Sequence, residues 1–163
     1  MEKHPNVKTL EELLPLIEEA RNAGKIIVST NGCFDIIHPG HASNLEWAKA
    51  QGDVLVVGVN SDASVVRNKG VKRPIVSESD RAYMIASLRP VDYVLLFDED
   101  TPAEWLRLVR PHVHIKGAGS ETDPMFKTLE ALVNEGGGEV RLAPLVEERS
   151  TTSIIDRILG RYT

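Results

Sequence analysis

Apolar positions in this chain follow two alternating patterns: short continuous runs, and longer stretches in which they recur every three or four residues. Leu10, Leu13, Leu14, Ile17 and Ala20 show the second spacing and predict an amphipathic helix that closes at Gly24. The β-branched run Ile26-Ile27-Val28 predicts a short buried strand over Lys25 to Ser29. Helical spacing resumes at Pro39, which suits a first helical position because its missing N–H has no partner there in any case. That helix runs to about Gln51, with Leu45 and Ala48 on one face. Asp53 to Val59 is the clearest buried strand. Asn60-Ser61-Asp62 reads as the cap of a short helix reaching about Arg67, and Ser77 or Ser79 caps the next, from Asp80 to Leu88, before Pro90. Strands over Tyr93–Phe97, Val113–Lys116 and Val140–Ala143 follow. Between and after them come helices that start at Thr101-Pro102, run from about Pro124 to Asn134, and lie over Ser153–Leu159.

Strands alternating with helices imply parallel pairing through right-handed crossovers. The expected fold is α/β: a doubly wound, Rossmann-like parallel sheet of five strands. It forms one domain over residues 1–163, with an N-terminal helix in 1–24 and the core in 25–163. Ligands in such sheets bind beyond the C-terminal strand ends, near the switch in strand order. The stretch from Ser29 to His41 lies there, between the first strand and a helix N-terminus, where unpaired N–H groups and the helix dipole favour phosphate. Asn31-Gly32 could instead turn a hairpin, but a Pro-Gly pair and helical spacing follow it, not an alternating strand.

Composition narrows the function. The chain has 163 residues, 42% of them hydrophobic, enough for one substantial core. A net charge of −5 argues against general nucleic-acid binding, which draws its affinity from a basic surface. No apolar run approaches the roughly 20 residues that cross a bilayer, and the N-terminus lacks the apolar core of a signal peptide. The single cysteine allows no internal disulfide and fits a reducing cytosol. A cytoplasmic protein without membrane or nucleic-acid partners is therefore expected. The charge is unevenly spread. Arg67, Lys69, Lys72, Arg73, Arg81 and Arg89 face only Glu78 and Asp80 within their segment, which is +4. A solvated basic face and an anion site both account for that.

His38 and His41 carry the clearest chemical signal, and three readings of the pair are open. They could be a metal fragment with Cys33, although the spacing matches no common zinc pattern. They could be incidental loop residues. Or they could donate N–H groups to a phosphate oxygen as charge builds on it, with Gly40 permitting close approach. Cys33 reads as a small side chain beside the loop, since no base has a compelling sequence relation to it. Asp35 could cap the loop or orient a substrate. Ser150-Thr151-Thr152 is either a helix cap or a set of phosphate donors. There is no G-x-x-x-x-G-K-[ST], and Gly117-Ala118-Gly119 lacks the third glycine of a dinucleotide loop.

The string Thr30-Asn31-Gly32-Cys33-Phe34-Asp35-x-x-His38-x-Gly40-His41 resembles the signature of small nucleotidyltransferases of the cytidylyltransferase-like superfamily. Further segments resemble its D-glycero-β-D-manno-heptose 1-phosphate adenylyltransferase branch: 57–64, Arg73-Pro74-Ile75, Asp80-Arg81, 91–94, 97–102, Lys116-Gly117 and Arg149-Ser150-Thr151-Thr152. With no kinase segment in the sequence, the resemblance implies the stand-alone form. It also implies transfer of AMP from ATP to a sugar 1-phosphate, releasing pyrophosphate, with Mg²⁺ held mainly by substrate and water and no metal site built from the protein. The alternative is a cytidylyltransferase acting on glycerol 3-phosphate or another small polyol or amino-alcohol phosphate.

Carried over by position, His38, His41 and either Lys69 or Lys72 are catalytic. Thr30, Asn31, Gly32, Cys33, Phe34, Gly40, Asn60, Asp62, Arg81, Lys116, Gly117, Ser150, Thr151 and Thr152 bind or shape the nucleotide site, and Asp35 lies near the acceptor. A homodimer is implied as well. One departure stands out: the branch usually continues Lys-Gly with Gly-Asp-Tyr, whereas Ala118-Gly119-Ser120-Glu121 follows here.

Overall fold

The computed structural model describes residues 2–145 and 150–162; of the motif at 149–152, Arg149 lies outside the described residues. The strands are β1 (Val7–Lys8), β2 (Ile27–Gly32), β3 (Val54–Asn60), β4 (Tyr93–Phe97), β5 (Val113–Lys116) and β6 (Glu139–Leu142). The helices are α1 (Leu10–Asn22), α2 (Pro39–Lys49), α3 (Asp62–Lys69), α4 (Glu78–Ala86), α5 (Ala103–Val109), α6 (Phe126–Glu135) and α7 (Thr151–Tyr162). All strand pairs are parallel, in the order β1-β4-β3-β2-β5-β6.

Among the described residues the expected five strands are therefore six. The additional one, β1, pairs Val7 with Val94 and Lys8 with Leu95. Two residues carry no periodicity, so only the partner strand reveals them. Thr9 follows at once and closes a capping box on α1: Glu12 N donates to Thr9 Oγ1 at 3.2 Å, and Thr9 N donates to Glu12 Oε2 at 2.8 Å.

Alternation along β3 sorts the core into two layers. Leu55, Val57 and Val59 meet Leu45 and Ala48 of α2 and Ala82, Ile85 and Ala86 of α4. Val54 and Val56 meet Leu13 and Ile17 of α1, Trp105, Leu106 and Val109 of α5, and Leu129 and Val133 of α6. Helices thus cover both faces, as a parallel sheet requires. Gly58 sits where a Cβ would lie 2.6 Å from Trp105 Cζ2, so only glycine lets that indole lie against the sheet. Among the described residues, no helix is long and apolar enough to cross a membrane.

One polar pair lies wholly inside. Ser29 of β2 and His114 of β5 are both inaccessible to solvent, with Ser29 Oγ 2.8 Å from His114 Nδ1. Burial, reinforced by the charge of Lys116, pushes His114 down to about 3. An unfolded histidine titrates near about 6.5. Below that pH the unfolded chain takes up a proton that the folded chain refuses. The stability contributed by the neutral His114 is therefore complete above about pH 6.5 and is lost as pH falls toward the folded value, at up to about 1.4 kcal/mol per pH unit. Urea denaturation between pH 6.5 and 5 should show this slope in the wild type and a shallower one in His114→Asn; equal slopes would contradict the account.

Candidate active site

The switch in strand order falls beside β2. The chain leaves β2 for β3 and β4 on one side, then returns to β5 on the other. A crevice opens at the C-terminal ends of such neighbours. A cavity of about 660 Å³ lies there, walled by the end of β2 and its following loop, the first turn of α2, the end of α3, and the segments after β4 and β5.

β2 runs three residues beyond the expected Ser29, through Thr30, Asn31 and Gly32, and pairs with β3 as far as Gly32 opposite Val59. Thr30 Oγ1 donates to Ile115 O at 2.9 Å, which fastens β2 to β5. Phe34 then takes a left-handed conformation, φ +48°, uncommon for a bulky residue, and its ring is buried. A Cβ on Gly32 would lie 3.2 Å from that ring. Six residues, 33–38, thus join a fully paired strand to α2.

His38 is the N-cap of α2, Pro39 follows it at the helix start, and the buried Gly40 lies in the first turn. The amide of His41 donates to His38 O at 2.9 Å. The two imidazoles stack with centroids 3.8 Å apart and planes inclined by 25°, and Phe34 lies 5.3 Å from the His41 ring. Burial, then the neighbouring His38, pushes His41 down to about 4, so it is a neutral imidazole at pH 7. Its Nδ1 is buried and has no hydrogen-bond partner among the described residues. The cavity wall includes His41; His38 stands behind it through the stack.

Asn31, Gly32, Cys33, Phe34, Asp35, Asn60, Lys69, Lys116 and Thr151 also line the cavity. Burial pushes the Cys33 thiol up, against the opposing charges of Lys69, Arg81 and Arg73. A raised pKa leaves a protonated thiol, a poor nucleophile. Lys116 Nζ lies 3.4 Å from Asn31 Oδ1; burial pushes its ammonium down, while Asp123 acts the other way. Lys69 is the last residue of α3 and lines the cavity, whereas Lys72 is exposed and outside the wall. Thr151 Oγ1 donates to Ile36 O at 3.4 Å. Ser150 caps α7, accepting from Ser153 N at 3.0 Å, and Thr152 is exposed. Gly117 is exposed just past β5 and stands outside the wall.

Arg81 and Asp62 act behind the wall. Arg81 is inaccessible to solvent. It donates to Val76 O at 2.9 Å, Asn60 O at 2.8 Å, Asp62 Oδ1 at 2.8 Å, and the carbonyl of Cys33. One guanidinium thus ties together the loop after β2, the end of β3, the start of α3 and the approach to α4. Asp35 does similar work with opposite charge. Its carboxylate accepts from Ile75 N at 2.8 Å, Val76 N at 2.9 Å and Arg73 Nε at 2.5 Å.

Sequence reading did not place Asn68, Arg73, Asp100, Thr101, Asp123 or Met125 in the wall, where the fold brings them. Arg73 stood in the basic segment and in the Arg73-Pro74-Ile75 string of the family resemblance, two signals that could have found it. Residues 117–125 form a locally bonded turn: Ser120 N donates to Gly117 O at 3.2 Å, Asp123 N to Ser120 O at 3.0 Å, and Met125 N to Asp123 Oδ1 at 2.8 Å. Among the described residues, no group of three or more His, Cys, Asp or Glu is gathered to hold a metal ion.

The cavity thus lies at the switch point, where a doubly wound sheet places its ligand, with a histidine pair at the neighbouring helix start. Comparison gives the class: the model of the Cytidylyltransferase-like family matches residues 29–157, and this chain belongs to that family. Among its relatives is the "Bifunctional protein HldE" of Syntrophotalea carbinolica, 46% identical over 162 residues, 99% of this chain and 33% of that protein. The protein of the same name from Helicobacter pylori strain Shi470 is 50% identical over 155 residues, 95% of this chain and 32% of that protein. The chain thus spans about a third of the length of these curated relatives. The crystal structure of the lipopolysaccharide core biosynthesis protein from Thermoplasma volcanium GSS1 superposes with a TM-score of 0.63 at 33% identity, covering 77% of this chain and all (100%) of that one.

Replacing Arg81 with methionine would leave several buried carbonyls and the Asp62 carboxylate without their donor. Arg81→Met should lower unfolding free energy by about 3–5 kcal/mol in urea denaturation. A loss below about 1 kcal/mol would show that Arg81 does not hold these loops.

Proposed function

We propose that this protein is an adenylyltransferase that moves AMP from ATP to a sugar 1-phosphate, D-glycero-β-D-manno-heptose 1-phosphate, yielding ADP-sugar and pyrophosphate. The observation that carries the reading is the stacked His38–His41 pair at the start of α2, opening on a cavity that Lys69 and Arg73 also line. The identity to HldE proteins and to a lipopolysaccharide core biosynthesis protein supports a sugar acceptor.

In this reading an oxygen of the acceptor phosphate attacks the α-phosphorus of ATP. A new P–O bond forms, the bond from the α-phosphorus to the bridging oxygen breaks, and pyrophosphate leaves with the electron pair. The attacking oxygen is already anionic, so no general base is required. Catalysis rests on placing two anions together and meeting the charge that develops between them. The neutral His41 donates an N–H without first losing a charge, and His38 holds its ring by stacking. Lys69 supplies a cation at the phosphates; Lys116 and Asn31 serve the nucleotide. ATP would bring Mg²⁺ held mainly by its own phosphates and water, which would offset their charge, and the remaining oxygens of Asp100 and Asp123 in the wall are the hard donors nearest to it. A cytoplasmic homodimer belongs to the same reading, and exposed Ile158 and Tyr162 on α7 offer it an apolar surface.

Pyrophosphate release should be measured with ATP and CTP against heptose 1-phosphate, other sugar 1-phosphates and glycerol 3-phosphate. ATP with heptose 1-phosphate should give the highest kcat/KM; a preference for CTP with glycerol 3-phosphate, or no release with any pair, overturns the assignment. His41→Ala should lower kcat by about 100-fold or more, the scale of losing one oxyanion donor, and His38→Ala, which removes the ring stacked on His41, should lower kcat by a smaller factor. Near-normal turnover in both variants would remove the histidines from the mechanism.

A further inference from the structure

We propose that Arg73 is the cavity's two-pronged phosphate receptor and that Asp35 is the residue that positions it, an inference that rests on reading the cavity as a nucleotidyltransferase site. The geometry of the ion pair points there. The Asp35 side chain is fully buried, and Oδ1 is taken by the amides of Ile75 and Val76. Only Oδ2 remains for Arg73, and it meets Nε, at 2.5 Å. A carboxylate free to pair fork-to-fork would engage two guanidinium nitrogens side by side. Here the backbone has claimed half of it.

The contact is therefore enough to fix the guanidinium plane without consuming its far edge. Among the described residues, Asp35 is the only group to which the Arg73 side chain donates a hydrogen bond, and 19% of that side chain remains exposed, in the cavity wall. The chain delivers Arg73 there through a turn after α3. Gly70, at φ +88°, ends the helix in a conformation that favours glycine, and its carbonyl accepts from Arg73 N at 3.0 Å. Lys69 and Cys33 lie in the same wall, so the receptor faces the ground where the phosphates meet. A planar fork held by a buried anion is pre-organised for two phosphate oxygens, which a lysine at the same place would not match.

The phosphate could be that of the acceptor or one of the nucleotide, and binding to each source alone separates them. Calorimetric titrations with a non-hydrolysable ATP analogue and with a sugar 1-phosphate should be run on wild type, Arg73→Gln, Arg73→Lys and Asp35→Asn. Arg73→Gln should weaken one of the two ligands by about tenfold or more, the scale of a lost charge-assisted pair, with Arg73→Lys restoring only part. The ligand affected names the source. Asp35→Asn should weaken the same ligand, and adding it to Arg73→Gln should bring no further loss, a dependence that a merely structural role would not produce. If Asp35→Asn fails to fold, the two Arg73 variants decide alone.

Affinities of Arg73→Gln within about twofold of wild type for both ligands, full restoration by lysine, or no binding of either ligand to wild type each overturn the proposal. Arg73-dependent binding in a wild type that releases no pyrophosphate would sink the catalytic reading and leave the receptor. Normal turnover with binding indifferent to Arg73 would do the reverse.

Discussion

A guanidinium withdrawn from water keeps its charge, so each N–H it carries must find an acceptor or the molecule bears the desolvation cost. Arg81 meets that demand with three backbone carbonyls and one carboxylate, drawn from segments that would otherwise have little reason to meet. Those segments are the ones that build the cavity. The placement of the loop after β2 against the end of β3 thus follows from satisfying a buried cation. Asp35 repeats the logic with an anion, gathering the turn before α4 from within.

This pairing recasts the basic segment that stood out in composition. Arg67 bonds Asp100 and the backbone of Asp98, Arg73 bonds Asp35, and Arg81 is inside the protein. Much of the apparent surface charge is internal wiring of the loops. Neither a solvated face nor an anion site describes the whole segment; Lys69 and the far edge of Arg73 are the parts turned to the cavity.

The sheet was legible because its inner strands carry short apolar or β-branched runs: Tyr93–Phe97 and Val113–Lys116, the latter alternating with His114 and Lys116, fall where the runs place them. Tertiary pairing decided what the runs could not. Asn31 and Gly32 are turn residues by propensity, yet β3 offers them partners and keeps them in the strand. The helix expected to start at Thr101-Pro102 begins at Ala103, with Pro102 as its N-cap. The site was legible where its residues are sequence neighbours, as with His38 and His41. Arg73 and Asp35 are 38 residues apart, and no local pattern joins them. Ser150 was ambiguous for a physical reason: the same hydroxyl that could meet phosphate also meets a helix N-terminus, and here it caps α7.

The turn at 117–125 has a different relation to the fold. Its hydrogen bonds are internal from Gly117 with Ser120 to Asp123 with Met125, or run on into the first turn of α6, and Asp123 and Met125 line the cavity. Such a segment is a separate panel: none of its residues takes part in the bonds of Arg81 or Asp35, so its sequence can drift without disturbing them. The departure after Gly117 falls inside that panel. This side of the cavity can therefore change its lining while His41, Lys69 and Arg73 keep their places in the rest of the wall.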